Sequence, residues 1–206
     1  MYPGERFNSI THLVGAVAAA IGLVVLLVVG AEQGDAWRMT SFAIYGTTLV
    51  VLFTLSTLYH SFRAGRKKAI FRRLEHCGIY VLIAGTYTPF GLVTLRESWG
   101  LTLLAINWGL AVTGILYEHL SRDQRRILPV VLYLLMGWLL VVAWVPLARA
   151  IAPTGLILIV LGGLFYSSGI VFYAFDYKWR FFHGIWHLFV LAGSASHYFA
   201  ILLFVG

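Results

Sequence analysis

Long apolar runs separated by short polar connectors occur seven times along the chain. The runs span residues 10–30, 40–62, 74–94, 100–119, 127–147, 154–174 and 181–204. A helix needs about 20 consecutive apolar residues to cross the hydrocarbon core of a bilayer. The pattern therefore predicts an all-α integral membrane protein built as a seven-transmembrane-helix bundle. Because the connectors are short, residues 1–206 are expected to form one membrane domain.

Composition supports a membrane protein and changes how the net charge is interpreted. Hydrophobic residues make up 60% of the 206 residues and charged residues only 11%, whereas soluble domains carry about 25% charged residues. In a soluble chain, the net charge of +7 would suggest a nucleic-acid partner. In a membrane protein, basic residues instead collect in cytoplasmic connectors beside anionic lipid. We therefore expect no nucleic-acid partner.

The distribution of basic residues predicts the orientation of the bundle. Of the 15 Lys and Arg residues, three (Arg38, Arg96 and Arg149) lie on the side of the bundle opposite the N-terminus. The others lie on the N-terminal side: Arg6, Arg63, Arg66, Lys67, Lys68, Arg72, Arg73, Arg122, Arg125, Arg126, Lys178 and Arg180. Since basic connectors stay inside the cell, the N-terminus is predicted to be cytoplasmic and the C-terminus outside.

Four ionisable residues lie at the same end of their predicted spans. His60 is near the end of the second span, Glu75 is in the first turn of the third, and His183 and His187 open the seventh. The second span ends where the third and seventh begin, so all four reach the cytoplasmic level. Ionisable residues are costly within a membrane and commonly mark a functional site.

The two histidines of the seventh span have the spacing of a metal-ligand pair. Residues at i and i+4 share a helix face, with Cβ atoms about 6 Å apart, and His60 is the best-placed third ligand. Three histidines with an open fourth position are typical of catalytic zinc. Glu75 is the candidate proton acceptor, and Ser56, one turn before His60, is placed to bond a water or a substrate carbonyl.

Each of these residues also has a simpler interpretation. The histidine pair can be a hydrogen-bonded pair at the membrane interface, and Ser56 can promote close helix packing. Glu75 can form an ion pair with Arg72 or Arg73. Placement of the residues at one level favours the metal site over these alternatives, while spacing alone leaves them open.

Four ordered motifs resemble the hemolysin III family, the bacterial branch of the progestin and adipoQ receptor family, which is related to alkaline ceramidases. The motifs are ERFNSITH at 5–12, STLYH at 56–60, LEHCGIYVLIAGTYTPF at 74–90 and HGIWH at 183–187. They fit the family patterns E-x-x-N-x-x-T-H, S-x-x-x-H and H-x-x-x-H, and the resemblance covers almost the whole chain. It implies a multi-pass protein of the bacterial plasma membrane.

The resemblance also implies roles for individual residues. His60, His183 and His187 correspond to the zinc ligands, and Ser56 to a serine near the metal-bound water. Glu75 stands where the family usually has aspartate. Because glutamate is one methylene longer, three roles stay open for it: contact with the metal itself, displacement of the bound water, or action as a base from a shifted backbone. Four further residues share one face of the first helix and are expected to support packing near the site: Glu5, Asn8, Thr11 and His12.

Three functions follow from the resemblance and the site. The leading hypothesis is a zinc-dependent intramembrane hydrolase of a lipid amide or ester, similar to a ceramidase and with a membrane lipid as substrate. The alternative is a receptor-like, non-enzymatic sensor of membrane state in which zinc is structural. The third is hemolytic activity, disfavoured because no span carries a continuous polar stripe.

Overall fold

The computed structural model describes residues 1–2, 4–121, 126–179 and 181–205. These residues form eight α-helices, two of which belong to one interrupted span. The helices are α1 (Arg6–Glu32), α2 (Ala36–Ser61), α3 (Arg66–Pro89), α4 (Gly100–Leu120), α5 (Ile127–Trp138), α6 (Trp144–Ala150), α7 (Pro153–Ala174) and α8 (Phe182–Phe204). A π-helix over Phe90–Thr94 extends α3, and a 3₁₀ segment over Leu139–Ala143 joins α5 to α6.

Within the described residues, the helices form seven spans that are long and apolar enough to cross a membrane. This confirms the predicted fold class. Every predicted run falls on one of these spans, with ends that differ by a few residues. Three residues used to predict the orientation, Arg122, Arg125 and Arg180, lie outside the described part of the chain. The orientation stays a prediction.

The third span begins eight residues earlier than its apolar run. The basic residues assigned to a connector, among them Lys68, Arg72 and Arg73, lie on the first turns of α3 instead. Lys, Arg and Ala favour helix strongly, so the helix continues beyond the apolar part of its sequence. Gly65, with a φ of 146°, makes the turn that precedes α3. Three cations are thereby fixed on the helix beside the end of α2.

The fifth span is interrupted, although its apolar run predicts one continuous helix. Pro146 has no N–H group and its ring clashes with the carbonyl of Val142, so an α-helix cannot continue through it undisturbed. The 3₁₀ segment ends three residues before this proline. The Tyr87 hydroxyl stabilises the break by donating to the Gly137 carbonyl at 2.9 Å and accepting from the Leu140 N–H at 2.8 Å.

Helix α1 has one face for protein and one for lipid. Its buried residues include Gly15, Ala19 and Gly22, whose small side chains allow close approach to α2 and α8. The opposite face exposes large aliphatic residues: Val14, Val17, Ile21, Val24 and Val28. Helices α2 and α3 are the most buried. The start of α1, the end of α2, the start of α3 and the start of α8 meet at one end of the bundle.

Candidate metal centre

The structure brings the three predicted metal ligands together. His60 comes from the last turn of α2, and His183 and His187 from the first two turns of α8. One ring nitrogen from each lies within 4.8 Å of the others, and the Nε2 atoms of His60 and His183 are 3.3 Å apart. Nitrogen ligands of tetrahedral zinc are separated by roughly 3.3 Å, given Zn–N bonds of about 2.0–2.1 Å.

The Nδ1 atom of each histidine lies within hydrogen-bonding distance of an oxygen acceptor, and His187 Nδ1 also lies 3.3 Å from the Thr11 hydroxyl. His60 Nδ1 is 2.5 Å from the Glu5 carboxylate, and His183 Nδ1 is 2.8 Å from the Asp176 carboxylate. His187 Nδ1 is 3.2 Å from the carbonyl oxygen of Asn8. When Nδ1 donates to these acceptors it carries the proton of the neutral ring, and the Nε2 lone pair is left free. Metal-binding histidines almost always have this arrangement.

Two facing lone pairs repel each other unless a cation lies between them. With Nδ1 protonated in both rings, the Nε2 atoms of His60 and His183 present lone pairs to each other at 3.3 Å. A divalent metal ion removes this repulsion by accepting both lone pairs. The residues at this site therefore fit a metal ion.

Cationic neighbours keep the two supporting carboxylates ionised. Partial burial alone would raise the pKa of Glu5, but hydrogen bonds from His60 and Lys68 and the positive charge of Lys68 lower it to about 2. Burial likewise opposes ionisation of Asp176, yet hydrogen bonds from His183 and Arg126 lower its pKa below the ordinary value. Both side chains are anions at neutral pH and accept strongly from imidazole N–H groups.

Glu75 lies beside the histidines and is buried. Its Oε1 atom is 3.7 Å from His60 Nε2. Within the described residues it forms no ion pair with Arg72 or Arg73, so the simpler interpretation of Glu75 is not observed. Its carboxylate faces the same space as the free lone pairs.

His12, which was expected only to support packing, lies directly against one of the candidate metal ligands. Its ring stacks on that of His187, with centroids 3.6 Å apart and planes 12° from parallel. Its Nδ1 is 2.6 Å from the Ser56 hydroxyl, while its buried Nε2 has no hydrogen-bond partner among the described residues. A second, overlapping group able to hold a metal consists of His12, Glu75 and His187.

Glycine at position 184 allows α1 to approach α8 at the site. A Cβ atom there would lie 2.7 Å from the Phe7 ring and 3.1 Å from the Asn8 side-chain oxygen. Because the position has no side chain, the Asn8 carbonyl can reach His187. The H-G-x-x-H sequence thus supplies two ligands and the space for a supporting helix.

Sequence reasoning placed Glu5, Asn8 and His12 near the site but missed Asp176 and Lys68. Asp176 is the only acidic residue in the connector between the sixth and seventh spans. That position, just before the histidine pair and at the same membrane level, was an available signal. Lys68 was grouped with the connector cations, because nothing in the sequence shows that it contacts Glu5.

The fold and the site define a seven-span, multi-pass membrane protein with a buried cluster of histidines and carboxylates that can hold a metal ion. The sequence matches the profile described as "Haemolysin-III related" over residues 2–198. The chain belongs to this haemolysin-III-related family.

Relatives from bacteria and mammals resemble the chain over nearly its whole length. "Hemolysin-3 homolog" of Bacillus subtilis (strain 168) is 42% identical, covering 97% of this chain and 93% of the relative. "Hemolysin-3" of Bacillus cereus is 41% identical, covering 98% and 91%. "Monocyte to macrophage differentiation factor" of Homo sapiens is 32% identical, covering 94% and 81%. The similarity to the bacterial and to the mammalian relatives therefore extends over nearly the whole of this chain.

Proposed function

We propose that this protein is a zinc-dependent hydrolase that cleaves a lipid amide or ester within the membrane. The observation that carries this proposal is the convergence of three imidazoles whose Nδ1 atoms are all fixed by acceptors. The Nε2 atom of His60 lies 3.7 Å from the buried carboxylate of Glu75. A purely structural site has no need of a free carboxylate beside its ligands.

The donor set favours zinc over other common divalent ions. Imidazole nitrogen suits zinc, whereas magnesium and calcium prefer sets of oxygen ligands. His60, His183 and His187 would hold the ion and leave one coordination position open. Bound zinc supplies a Lewis acid that polarises a carbonyl and acidifies water.

Glu75 and His12 provide the remaining chemical groups. Glu75 is placed to accept a proton from the attacking water and to return it to the leaving nitrogen or oxygen. When the Ser56 hydroxyl donates to His12 Nδ1, Nε2 of His12 carries a proton that it can donate to a carbonyl oxygen. Negative charge that develops on this oxygen is then stabilised by a fixed donor.

Cavities beside the centre favour a lipid substrate. A cavity of about 40 Å³ is lined by His12, Glu75 and His183, together with Ile79 and Trp186. Ile79 and Trp186 also line a second, mainly apolar cavity of about 80 Å³ between α3, α5 and α7. An acyl chain in the second cavity would present its head end to the histidines.

The metal assignment is tested by zinc content. Protein purified without added metal is expected to contain about one zinc per chain, and His60→Ala and His183→Ala proteins should lose most of it. His119→Ala, which changes an exposed histidine at the end of α4, is the control and should keep its zinc. Full zinc content in the first two variants would contradict the assignment.

The hydrolase assignment is tested by turnover in protein that retains zinc. Glu75→Gln removes the proton acceptor while preserving size, so chelator-sensitive release of fatty acid from lipid amides and esters should fall about 10²–10⁴-fold. Zinc content should remain near one per chain. Bound zinc without turnover across the panel would contradict the hydrolase and support the membrane-state sensor.

The name of the Bacillus cereus relative raises lysis as a further outcome. Dye release from liposomes is the relevant measurement, with the native protein compared with His187→Ala. Lysis that persists in the variant would be independent of the metal centre and would support a cytolytic function. The hydrolase proposal predicts no dye release by either protein.

A further inference from the structure

We propose that the cavity between the start of α3, the end of α4 and the start of α5 binds the phosphate of an anionic lipid headgroup. The predicted orientation places this cavity on the cytoplasmic side. This inference rests on the proposed function, because it names the class of substrate that the metal centre would receive. The cavity, termed the cationic cavity below, has a volume of about 240 Å³. Its lining includes Arg72, Arg73, Tyr117, Glu118, Arg126 and Tyr173.

Two of the three arginines in the cationic cavity have no ion-pair partner among the residues that the structure describes. Arg126 donates to both Asp176 oxygens, at 2.8 and 2.9 Å, so its charge is largely balanced. Arg72 and Arg73 form no ion pair with any carboxylate in the described ranges. Glu118 lies 3.5 Å from His76 Nδ1 and is the acidic residue among the described lining. Among the described lining residues, the positive charge therefore exceeds the negative charge.

The cationic cavity lies next to the smaller cavity at the metal centre and shares lining residues with it. Arg72, Arg126 and Tyr173 line both this cavity and the smaller cavity that contains Glu75 and His183. Asp176 links Arg126 to His183 by hydrogen bonds to both side chains. A group bound to the arginines would therefore lie in the cavity next to the one that is lined by Glu75 and His183.

Two further cavities, both mainly apolar, are linked to the small cavity at the metal centre through shared lining residues, one directly and the other through the first. The cavity of about 80 Å³ shares Trp138 and His197 with a third one of about 50 Å³. The order of the neighbouring cavities is therefore a cationic end, the metal centre and an apolar end. A phospholipid has the same order of charged phosphate, carbonyl linkage and acyl chain. The phosphate would lie against Arg72 and Arg73, and an ester carbonyl would lie near the histidines.

The chemistry of arginine favours phosphate over a neutral headgroup. A guanidinium group binds phosphate through paired N–H donors, and basic pockets between membrane helices on the cytoplasmic side bind anionic headgroups. A neutral headgroup would leave the half-buried Arg72 without a counter-charge. We therefore expect phosphatidic acid to bind more tightly than diacylglycerol, which has the same acyl chains.

The test measures lipid binding directly and separately from turnover. Full-length, zinc-loaded protein is titrated in neutral detergent with phosphatidic acid, diacylglycerol and inorganic phosphate, and bound lipid is counted by native mass spectrometry. The Glu75→Gln background prevents hydrolysis during the measurement. Phosphatidic acid should bind at least about tenfold more tightly than diacylglycerol, as expected for charge-assisted contacts to the phosphate.

A matched pair of double variants distinguishes binding in the cavity from general electrostatic attraction to this end of the bundle. Arg72→Gln/Arg73→Gln should weaken phosphatidic acid binding at least about tenfold. Arg63→Gln/Arg66→Gln removes the same charge from exposed positions outside the cavity and should change binding by less than about twofold. Zinc content and melting temperature of each variant report whether it is folded.

Three results would overturn the inference. Equal weakening in both double variants would indicate non-specific attraction to the cationic end. Displacement of the lipid by inorganic phosphate at equal concentration would indicate a free-phosphate site. Equal binding of diacylglycerol and phosphatidic acid would remove the role of the phosphate.

The proposed function and this inference fail in different ways. Phosphatidic acid binding that depends on Arg72 and Arg73, without hydrolysis of any lipid by the native protein, would contradict the hydrolase and support the headgroup site. Hydrolysis of a neutral lipid amide at an unchanged rate in Arg72→Gln/Arg73→Gln would support the hydrolase and contradict the headgroup site.

Discussion

Asp176 accepts hydrogen bonds from two side chains and so links the candidate metal centre to an arginine of the cationic cavity. Its carboxylate holds the ring of His183 on one side and the guanidinium of Arg126 on the other. A carboxylate at Nδ1 fixes the tautomer and orientation of the ring and raises the basicity of Nε2. The same interaction pattern occurs between Glu5 and His60, where Lys68 takes the place of Arg126.

Replacing Asp176 with asparagine is expected to weaken metal binding without removing a ligand. The amide oxygen still accepts from His183, but the negative charge is lost, so zinc affinity should fall about 10–100-fold. Competition with a chelator measures this affinity. Glu32→Gln, at an exposed position at the opposite end of α1, removes the same charge as a control. Unchanged affinity in Asp176→Asn would show that the carboxylate does not support the metal.

At the scale of elements, the turn after the π-helix depends on a close backbone approach. A Cβ atom on Gly100, the first residue of α4, would lie 2.1 Å from the carbonyl oxygen of Gly91 and 2.7 Å from that of Leu95. Both contacts are with backbone, which cannot rotate away as a side chain can. Glycine at this position therefore fixes how α4 starts beside the end of the third span.

Alanine at position 100 should destabilise the protein by about 1–3 kcal/mol, a range typical of overpacked sites. Gly109→Ala is a matched control on the same helix, since its Cβ would meet nothing within 4 Å. That substitution should be neutral or stabilising, by up to about 1 kcal/mol, because alanine favours helix. Thermal unfolding in detergent measures both. Equal melting temperatures would show that the backbone at residues 91–100 adapts freely.

At the scale of the whole molecule, the site lies where the ends of four spans meet. The first turns of α1 and α8, the start of α3 and the last turn of α2 carry His12, His183, His187, Glu75 and His60, while Glu5 and Asp176 lie in the segments just before α1 and α8. Spans that alternate in direction bring these ends to one level. The positive-inside rule predicts that this level is cytoplasmic.

Reporter fusions test this orientation. Alkaline phosphatase fused after Gly206 should be active in a bacterial host, because the enzyme folds only outside the cytoplasm and the C-terminus is predicted to lie there. A fusion after Ser121, in a connector predicted to be cytoplasmic, is the control and should be inactive. The reverse pattern would place the metal centre at the outer face and contradict the predicted orientation.

The sequence by itself determined the spans and the level of the histidines. Apolar run length fixes which segments can cross a bilayer, and helical rise fixes the depth of His60, His183 and His187. Both quantities are local to one helix. The interruption near Pro146 and the helical start of α3 also have local causes, but the apolar pattern obscured them.

Only the tertiary structure decided what each side chain faces. Rotation of a helix about its axis determines that Asp176 meets His183, that His12 stacks on His187 and that Glu75 faces the lone pairs rather than Arg72 or Arg73. Many rotations bury apolar surface almost equally well, so hydrophobic pattern does not distinguish them. Close packing around small residues such as Gly15 and Gly184 selects one rotation, and this selection brings the histidines and the carboxylates together at one end of the bundle.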